Sequence, residues 1–526
     1  METLTWLSII PPILVVVLAI STKSIIFSLV MGIATGLTIF ASIVAPGVLP
    51  SKDFLEVMIY GLRLFVASVG TPENLMLILF LAILGGIIAI LTAAGCANSF
   101  SASALKRIKN KRTAEAFTFL MGCVIFVDDY FNAITVGNVM VSVTDKFKIS
   151  RAKLAYLIDS TSAPVTILMP VSSWVATVIS LIIPELEACG MPQPGMQAFL
   201  NCTVYNFYAW FTLLMVVTVI IFDLNLGKMK YYEQKFAQTG KDESIFVDVN
   251  ESVVDDMARK RRGTALDMIV VLVLLVVLTF AIMLYTGGIF EAGITVQTAL
   301  INCDPNISLA SAALITLAFC YIIFIFGKKL TFKNINEAFV QGVKSMVTAV
   351  MILVMSWTFS AVLGTEGLNT GAFIANACSE SISGWMLPAI VFILSAVISF
   401  SIGASWGAMG IMLPTSIAMC ASVDPNYIYM VLGATLAGSV FGDHCSPLAD
   451  TTVLSSSGAG CKHLAHVYTQ LPYALIVSLI CIASYIVSGL TGKAWPGFVL
   501  AAVVLVILGV ILKKNREIKT ISENLN

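Results

Sequence analysis

Val440–Thr452 reads VFGDHCSPLADTT. It lies between long apolar runs, yet it holds Asp443, His444, Ser446, Pro447, Asp450, Thr451 and Thr452. A charged side chain at the bilayer centre costs about 2.5–3.5 kcal/mol on insertion scales. Such a stretch is tolerated in a membrane where its carboxylates bind something. Pro447 cannot donate a helical hydrogen bond, and Gly442 allows turns that other residues resist. The stretch therefore predicts a membrane segment broken in its middle.

The rest of the chain agrees with a membrane setting. Of 526 residues, 58% are hydrophobic and 11% charged, against about 25% charged in soluble domains. Apolar runs of about 20 residues, the length of a helical span, recur throughout. They predict spans near 5–21, 24–44, 74–94, 204–224, 264–288, 308–327, 343–363, 470–490 and 496–512. No strand-length alternation of a membrane barrel appears. The formal net charge is zero, which gives a nucleic-acid partner no electrostatic support; the partner is the lipid bilayer. Glu2 and no basic residue precede the first run, so it reads as a span and not as a cleaved signal. Eleven cysteines are scattered singly and read as small buried hydrophobes. Cys189 and Cys202 share one loop, where a bond between them has no further support.

Lysine and arginine set the orientation. All of the 30 basic residues except Lys52, Arg63 and Lys493 fall on one set of loops. That side is expected to be cytoplasmic, with the N-terminus outside and the C-terminus inside. KRIKNKR (106–112) and DKFKISRAK (145–153) then lie on the same side, so the segment between them, about 113–146, must be a re-entrant hairpin. Non-helical backbone at membrane depth is allowed only inside protein or beside a watery cavity. FVDDYFNAITVGNVMVSVTD (126–145) aligns with FSIGASWGAMGIMLPTSIAM (400–419), and the first broken span, about 152–183, aligns loosely with the second, about 427–457. Each half has an odd number of crossings, so the second, with its hairpin at about 385–421, inserts upside down. The expected fold is an all-α polytopic membrane protein of two inverted-topology repeats, with about 11 spans plus the two hairpins. The repeats cover 1–224 and 264–490, joined by a cytoplasmic linker at 225–263; 491–526 form the last span and a cytoplasmic tail. Inverted repeats with interrupted helices are the layout of secondary transporters, whose sites lie where the breaks meet.

Four elements should converge there. The first hairpin tip brings Asp128, Asp129 and Asn132. The first broken span brings Asp159, Ser160 and Thr161. The second tip brings Ser401, Gly403, Ser405 and Trp406, and the opening stretch brings Asp443, His444, Ser446, Asp450 and Thr451. Hard cations take oxygen ligands, and hydroxyls, asparagine and freed carbonyls supply them, so Na⁺ at Asp159 and Asp443 is the expectation. Asp128, Asp129 and Asp450 also suit helix N-caps. His444 could carry a proton or serve as a neutral hydrogen-bonding group. His463 and His466 fall on a loop and read as solvent-exposed polar residues.

Other chemistries fare worse. Gly403–Gly407, GASWG, matches G-x-S-x-G, but that motif works between a strand and a helix. No G-x-x-x-x-G-K-[ST] phosphate loop exists in the chain, so no ATP hydrolysis is expected. The reading is of a transporter and not an enzyme, with no cofactor beyond the transported ions.

FVDDYFNAITVG, SRAKLAYLIDSTSAP, SIGASWG and FGDHCSPLADTTVLSS resemble the NhaC-type sodium/proton antiporter family, from about residue 70 to 480. The resemblance implies exchange of Na⁺ for H⁺ by a homodimer in a bacterial cytoplasmic membrane. It implies ion-site roles for Asp159, Ser160, Thr161, Asp443, Ser446, Asp450 and Thr451. Some members have a lysine where this chain has His444, which leaves stoichiometry and substrate open. A small organic anion or amino acid, coupled to Na⁺ or H⁺, is the alternative substrate, with Tyr130, Phe131 and Trp406 beside its apolar part.

Overall fold

A computed structural model describes residues 6–22, 24–43, 54–96, 99, 108–126, 129–170, 172–246, 263–291, 293–364, 367–368, 370 and 383–525. Among them every regular element is helical, and the one isolated bridge joins Ile245 to Cys461. The first half opens with α1 (Ile10–Thr22), α2 (Ile25–Ile43), α3 (Phe54–Val69) and α4 (Pro72–Ala93). Thr71 caps α4 through its side chain and Pro72 fills the first turn, where a missing N–H costs nothing. The 16-residue α3 was not expected from the sequence. It carries Glu56 and Arg63 yet leaves Leu55, Leu62 and Val66 exposed.

Two helices follow, α5 (Lys111–Val124) and α6 (Asp129–Lys146), packed against each other. Asp128 lies outside the described residues. The next stretch is interrupted twice, into α7 (Arg151–Asp159), α8 (Ala163–Thr166) and α9 (Ser173–Ala188). The short α10 (Gly195–Thr203) leads to α11 (Phe207–Phe222). Cys189 and Cys202 are both free thiols, so no bond joins them.

The expected linker is more than a tether. Its helix α12 (Gly227–Thr239) puts Glu233 Oε1 2.6 Å from the backbone N–H of Ser150. Asp242 Oδ2 accepts from the N–H of Arg151 at 2.6 Å, and Ser244 Oγ from that of Ala152 at 3.1 Å. These groups satisfy the first N–H donors of α7, which have no partner inside the helix. The same strap then pairs with the far half: Lys462 N–H donates to Ser244 O at 2.7 Å, and Phe246 N–H to Gly460 O at 3.0 Å. A buried charge layer lies alongside. Lys153 Nζ is 2.7 Å from Glu115 Oε1 and 3.5 Å from Asp223 Oδ1, and Lys111 pairs with Glu233.

The second half runs α13 (Ala265–Thr286), α14 (Val296–Asn302), α15 (Pro305–Phe326) and α16 (Phe332–Leu363). Then come α17 (Leu387–Ile402), α18 (Ser405–Val423), α19 (Ile428–Cys445), α20 (Asp450–Gly458), α21 (His463–Thr491) and α22 (Trp495–Leu525). Thr264 and Asp267 form a reciprocal capping box at α13, which satisfies two free N–H groups. Gly403 ends α17 at φ +73°, a left-handed position where a Cβ would also meet Leu448 Cβ at 2.6 Å.

Seven described helices are long and apolar enough to cross a membrane, by length and composition. Ala265–Thr286 and Trp495–Lys513 turn most of their surface outward, being only 28% and 22% buried. Interior helices approach closely through small residues. A Cβ on Gly438 would fall 2.3 Å from Phe392 O, and one on Gly137 of α6 would fall 2.4 Å from the carbonyl carbon of Gly458 on α20. That last contact presses the first half's pair α5–α6 onto the second half's interrupted segment.

Candidate functional site

Asp159 is the last residue of α7. The helix ends there in a turn, with Ser162 at φ −74° and ψ −84°, and Pro164 lies in the first turn of α8. Its carboxylate is 1% exposed. Gln470 Nε2 donates to Oδ2 at 2.6 Å, His466 Nε2 at 3.1 Å and Thr452 Oγ1 at 3.4 Å; Ser455 Oγ donates to Oδ1 at 3.2 Å. His444 Nε2 lies 3.8 Å from Oδ2. All five side chains come from α19, α20 and α21, so one half contributes the acid and the other its surroundings.

Asp443 and His444 sit in the last turn of α19, which ends before Pro447. Thr451 Oγ1 donates to Asp443 Oδ2 at 2.8 Å. Asp443 Oδ1 is buried with no hydrogen-bond partner among the described residues. His444 Nδ1 is 2.6 Å from the Tyr208 hydroxyl. Asp450 opens α20, where a carboxylate suits a helix N-terminus. The Tyr130 hydroxyl donates to it, and the N–H of Thr451 donates to its Oδ1 at 3.1 Å. Tyr130 belongs to α6, so this contact too crosses between halves. Among the described residues, no lysine or arginine stands within ion-pair distance of Asp159, Asp443 or Asp450.

The other expected residues divide. Asp129 Oδ1 accepts from Trp174 Nε1 at 3.0 Å, and the Trp174 and Trp406 rings are 4.5 Å apart. Asn132 Nδ2 donates to the carbonyls of Gly122 and Ile125, both at 2.7 Å, and so closes the end of α5. Ser446 Oγ donates to Phe400 O at 3.1 Å, tying the second break to α17. Ser405 Oγ reaches Ser439 O at 3.4 Å. Ser160 is fully buried beside Asp159. Thr161 and Ser401 bond back to carbonyls of their own helices, at 2.8 and 2.7 Å, and Gly403 serves the backbone. The Phe131 side chain lies outside the described residues.

Two expectations are corrected. His466 is fully buried and touches the central carboxylate. His463 is half-buried, with Nε2 2.8 Å from Pro447 O and Nδ1 3.0 Å from Ser456 Oγ. Both begin α21 and do not lie on a solvated loop. Gln470, Thr452, Ser455, Tyr208 and Trp174 also join the site. In HLAHVYTQ the spacing of 463, 466 and 470 puts all three on one helical face, which is the signal that could have found them.

Chemically, the arrangement offers buried carboxylate oxygens, hydroxyls and freed carbonyls. Among the described residues, no group of three or more His, Cys, Asp or Glu is placed to hold a metal ion. Oxygen-rich surroundings suit hard cations better than a resident soft transition metal.

A profile described as the Na⁺/H⁺ antiporter family matches residues 165–490. An uncharacterized protein of Haemophilus influenzae is 35% identical over 513 residues, covering 96% of this chain and 95% of that one. An uncharacterized Na⁺/H⁺ antiporter of the same organism is 30% identical over 169 residues, 30% of this chain and 33% of that one. A malate-2H⁺/Na⁺-lactate antiporter of Bacillus subtilis is 33% identical over 164 residues, 28% of this chain and 32% of that one. The chain is a multi-pass bacterial membrane protein and belongs to the Na⁺/H⁺ antiporter family.

Proposed function

We propose that this antiporter exchanges Na⁺ for H⁺ across the cytoplasmic membrane by alternating access between two inverted halves. The observation that carries the reading is the placement of Asp159 and Asp443 at helix breaks. Both are buried among hydroxyl and amide groups, without a lysine or arginine partner among the described residues. A buried carboxylate with no permanent cation beside it is expensive to leave ionised, so each carboxylate binds either a proton or a cation. Ionised Asp159 or Asp443 takes Na⁺ with hydroxyl and carbonyl ligands. Protonation removes the charge and releases the ion. A neutralised site crosses the low-dielectric interior as the halves rock, whereas a bare charge does not, and that difference couples the two flows. Assembly as a homodimer belongs to the same proposal.

A second reading draws support from the relative named for malate and lactate exchange. There Na⁺ or H⁺ would accompany a small organic anion or an amino acid, with the Trp174–Trp406 pair beside its apolar part. The acidic surroundings favour the cation reading.

Proteoliposomes holding a pH dye and an imposed pH gradient decide between them. Added Na⁺ alone should drive proton movement, and Asp159→Asn should abolish it. Wild-type flux in Asp159→Asn would sink the assignment of Asp159. Silence to Na⁺, with a response to one member of a panel of amino acids and dicarboxylates, would put the second reading first.

A further inference from the structure

Gln470 stands one turn beyond His466 on α21, 1% exposed. Its Nε2 carries two hydrogens and spends both. One goes to Asp159 Oδ2 at 2.6 Å, the other to the backbone carbonyl of His444 at 2.6 Å. Its Oε1 is buried with no hydrogen-bond partner among the described residues. One amide thus joins the end of α7 to the last turn of α19.

The two oxygens it holds are a carboxylate oxygen and a carbonyl freed by a helix break. That is the pair a hard cation takes. A cation between them and an amide nitrogen between them are therefore alternatives. Turning the amide by about 180° about its last torsion, which has a broad two-fold profile, exchanges nitrogen for oxygen at little steric cost. Three oxygens would then face one another. They repel unless a positive charge lies between them, and with one there they form part of its shell. The buried Oε1 gains a partner in that arrangement.

We propose that Gln470 is a switching ligand for the transported cation. Its Nε2 holds Asp159 and the His444 carbonyl together when no cation is bound, and its Oε1 ligates the cation when one is. The inference rests on the Na⁺ reading above and deepens it. It also explains a glutamine here: only a terminal amide offers two donors on one atom and an acceptor on the next.

The test compares wild type with Gln470→Met and Gln470→Glu in proteoliposomes, reading apparent KM for Na⁺ and maximal rate separately. Methionine keeps length and loses both functions. It should raise KM about tenfold or more, whatever happens to the maximal rate. Glutamate keeps an acceptor and loses both donors, and it should hold KM at or below the wild-type value. A purely structural clamp predicts the reverse: both variants lose rate and leave KM unchanged. An unchanged KM in Gln470→Met overturns the proposal; if that variant fails to accumulate, a raised KM in Gln470→Glu does so alone. A second readout needs no turnover. Na⁺, set against choline, should raise the thermal midpoint of wild type and Gln470→Glu more than that of Gln470→Met, because a ligand stabilises the state it binds in proportion to its occupancy. An equal shift in all three proteins overturns the proposal. Wild type silent to Na⁺ in both assays fails the parent reading instead.

Discussion

Lys153→Met should destabilise the protein by about 3–5 kcal/mol, the range for breaking a buried ion pair from one side. Lys153 is fully buried, and its Nζ lies 2.7 Å from Glu115 Oε1 and 3.5 Å from Asp223 Oδ1. Methionine fills the space and leaves Glu115, whose side chain is 1% exposed, without its cation. Asp223 suffers less. Its side chain is 20% exposed, and Lys111 Nζ remains 3.6 Å away. The loss is therefore dominated by Glu115 alone, which places the effect near the lower end, at about 3 kcal/mol. Glu115→Gln added to Lys153→Met removes the stranded charge and should recover more than half of the loss. Equilibrium unfolding of wild type, both single variants and the double variant in mixed micelles completes the cycle. A single-variant loss under about 1 kcal/mol would refute the reasoning, because it would put the pair in the range of solvated surface bridges. A double variant no more stable than Lys153→Met would refute it as well. Asp159 ends the nine-residue helix that carries Lys153, so transport activity should fall along with stability.

Three further outcomes are expected. His466→Ala removes a donor from Asp159 and should cost about 1–3 kcal/mol; unfolding in the same micelles reads it, and no change would mean the contact is not formed. Gly403→Ala puts a side chain at φ +73° and a Cβ 2.6 Å from that of Leu448. The left-handed backbone alone costs about 1–2 kcal/mol, so a thermal midpoint equal to wild type would show that the turn between α17 and α18 relaxes freely. Burial pushes the Cys461 thiol up, and the strap residue Ile245 pairs beside it. Cys461 should resist a thiol-reactive maleimide at neutral pH in the native protein and react once the protein is unfolded, as followed by mass spectrometry; prompt native labelling would mean that the strap lifts readily.

Helical class and membrane setting were legible because run length and composition act locally. The helix ends at Asp159, Gly403 and Cys445 fall at residues whose own chemistry interrupts a helix, beside Pro164 and Pro447 or at a left-handed glycine. The surroundings of Asp159 were not legible in that way. Thr452, Ser455, His466 and Gln470 lie 293 to 311 residues away in the chain, and no local pattern encodes such a meeting. His466 was misread because a basic neighbour, Lys462, made the start of α21 look like a loop. What the linker holds was not legible, because polar composition cannot tell a tether from a cap. Glu233, Asp242 and Ser244 became partners only when the N-terminus of α7 was brought to them.

The division of the site between halves bears on how the protein is made. Asp159 leaves the ribosome 311 residues ahead of Gln470. At 5–20 residues per second that is an interval of roughly 15–60 s. During it the first half holds a carboxylate whose donors, among the described residues, all belong to the second half, in a segment destined for a non-aqueous place. The early half's acid therefore gains its donors only when the late half arrives, and biogenesis, like the transport proposed above, turns on the two halves meeting around a single acid.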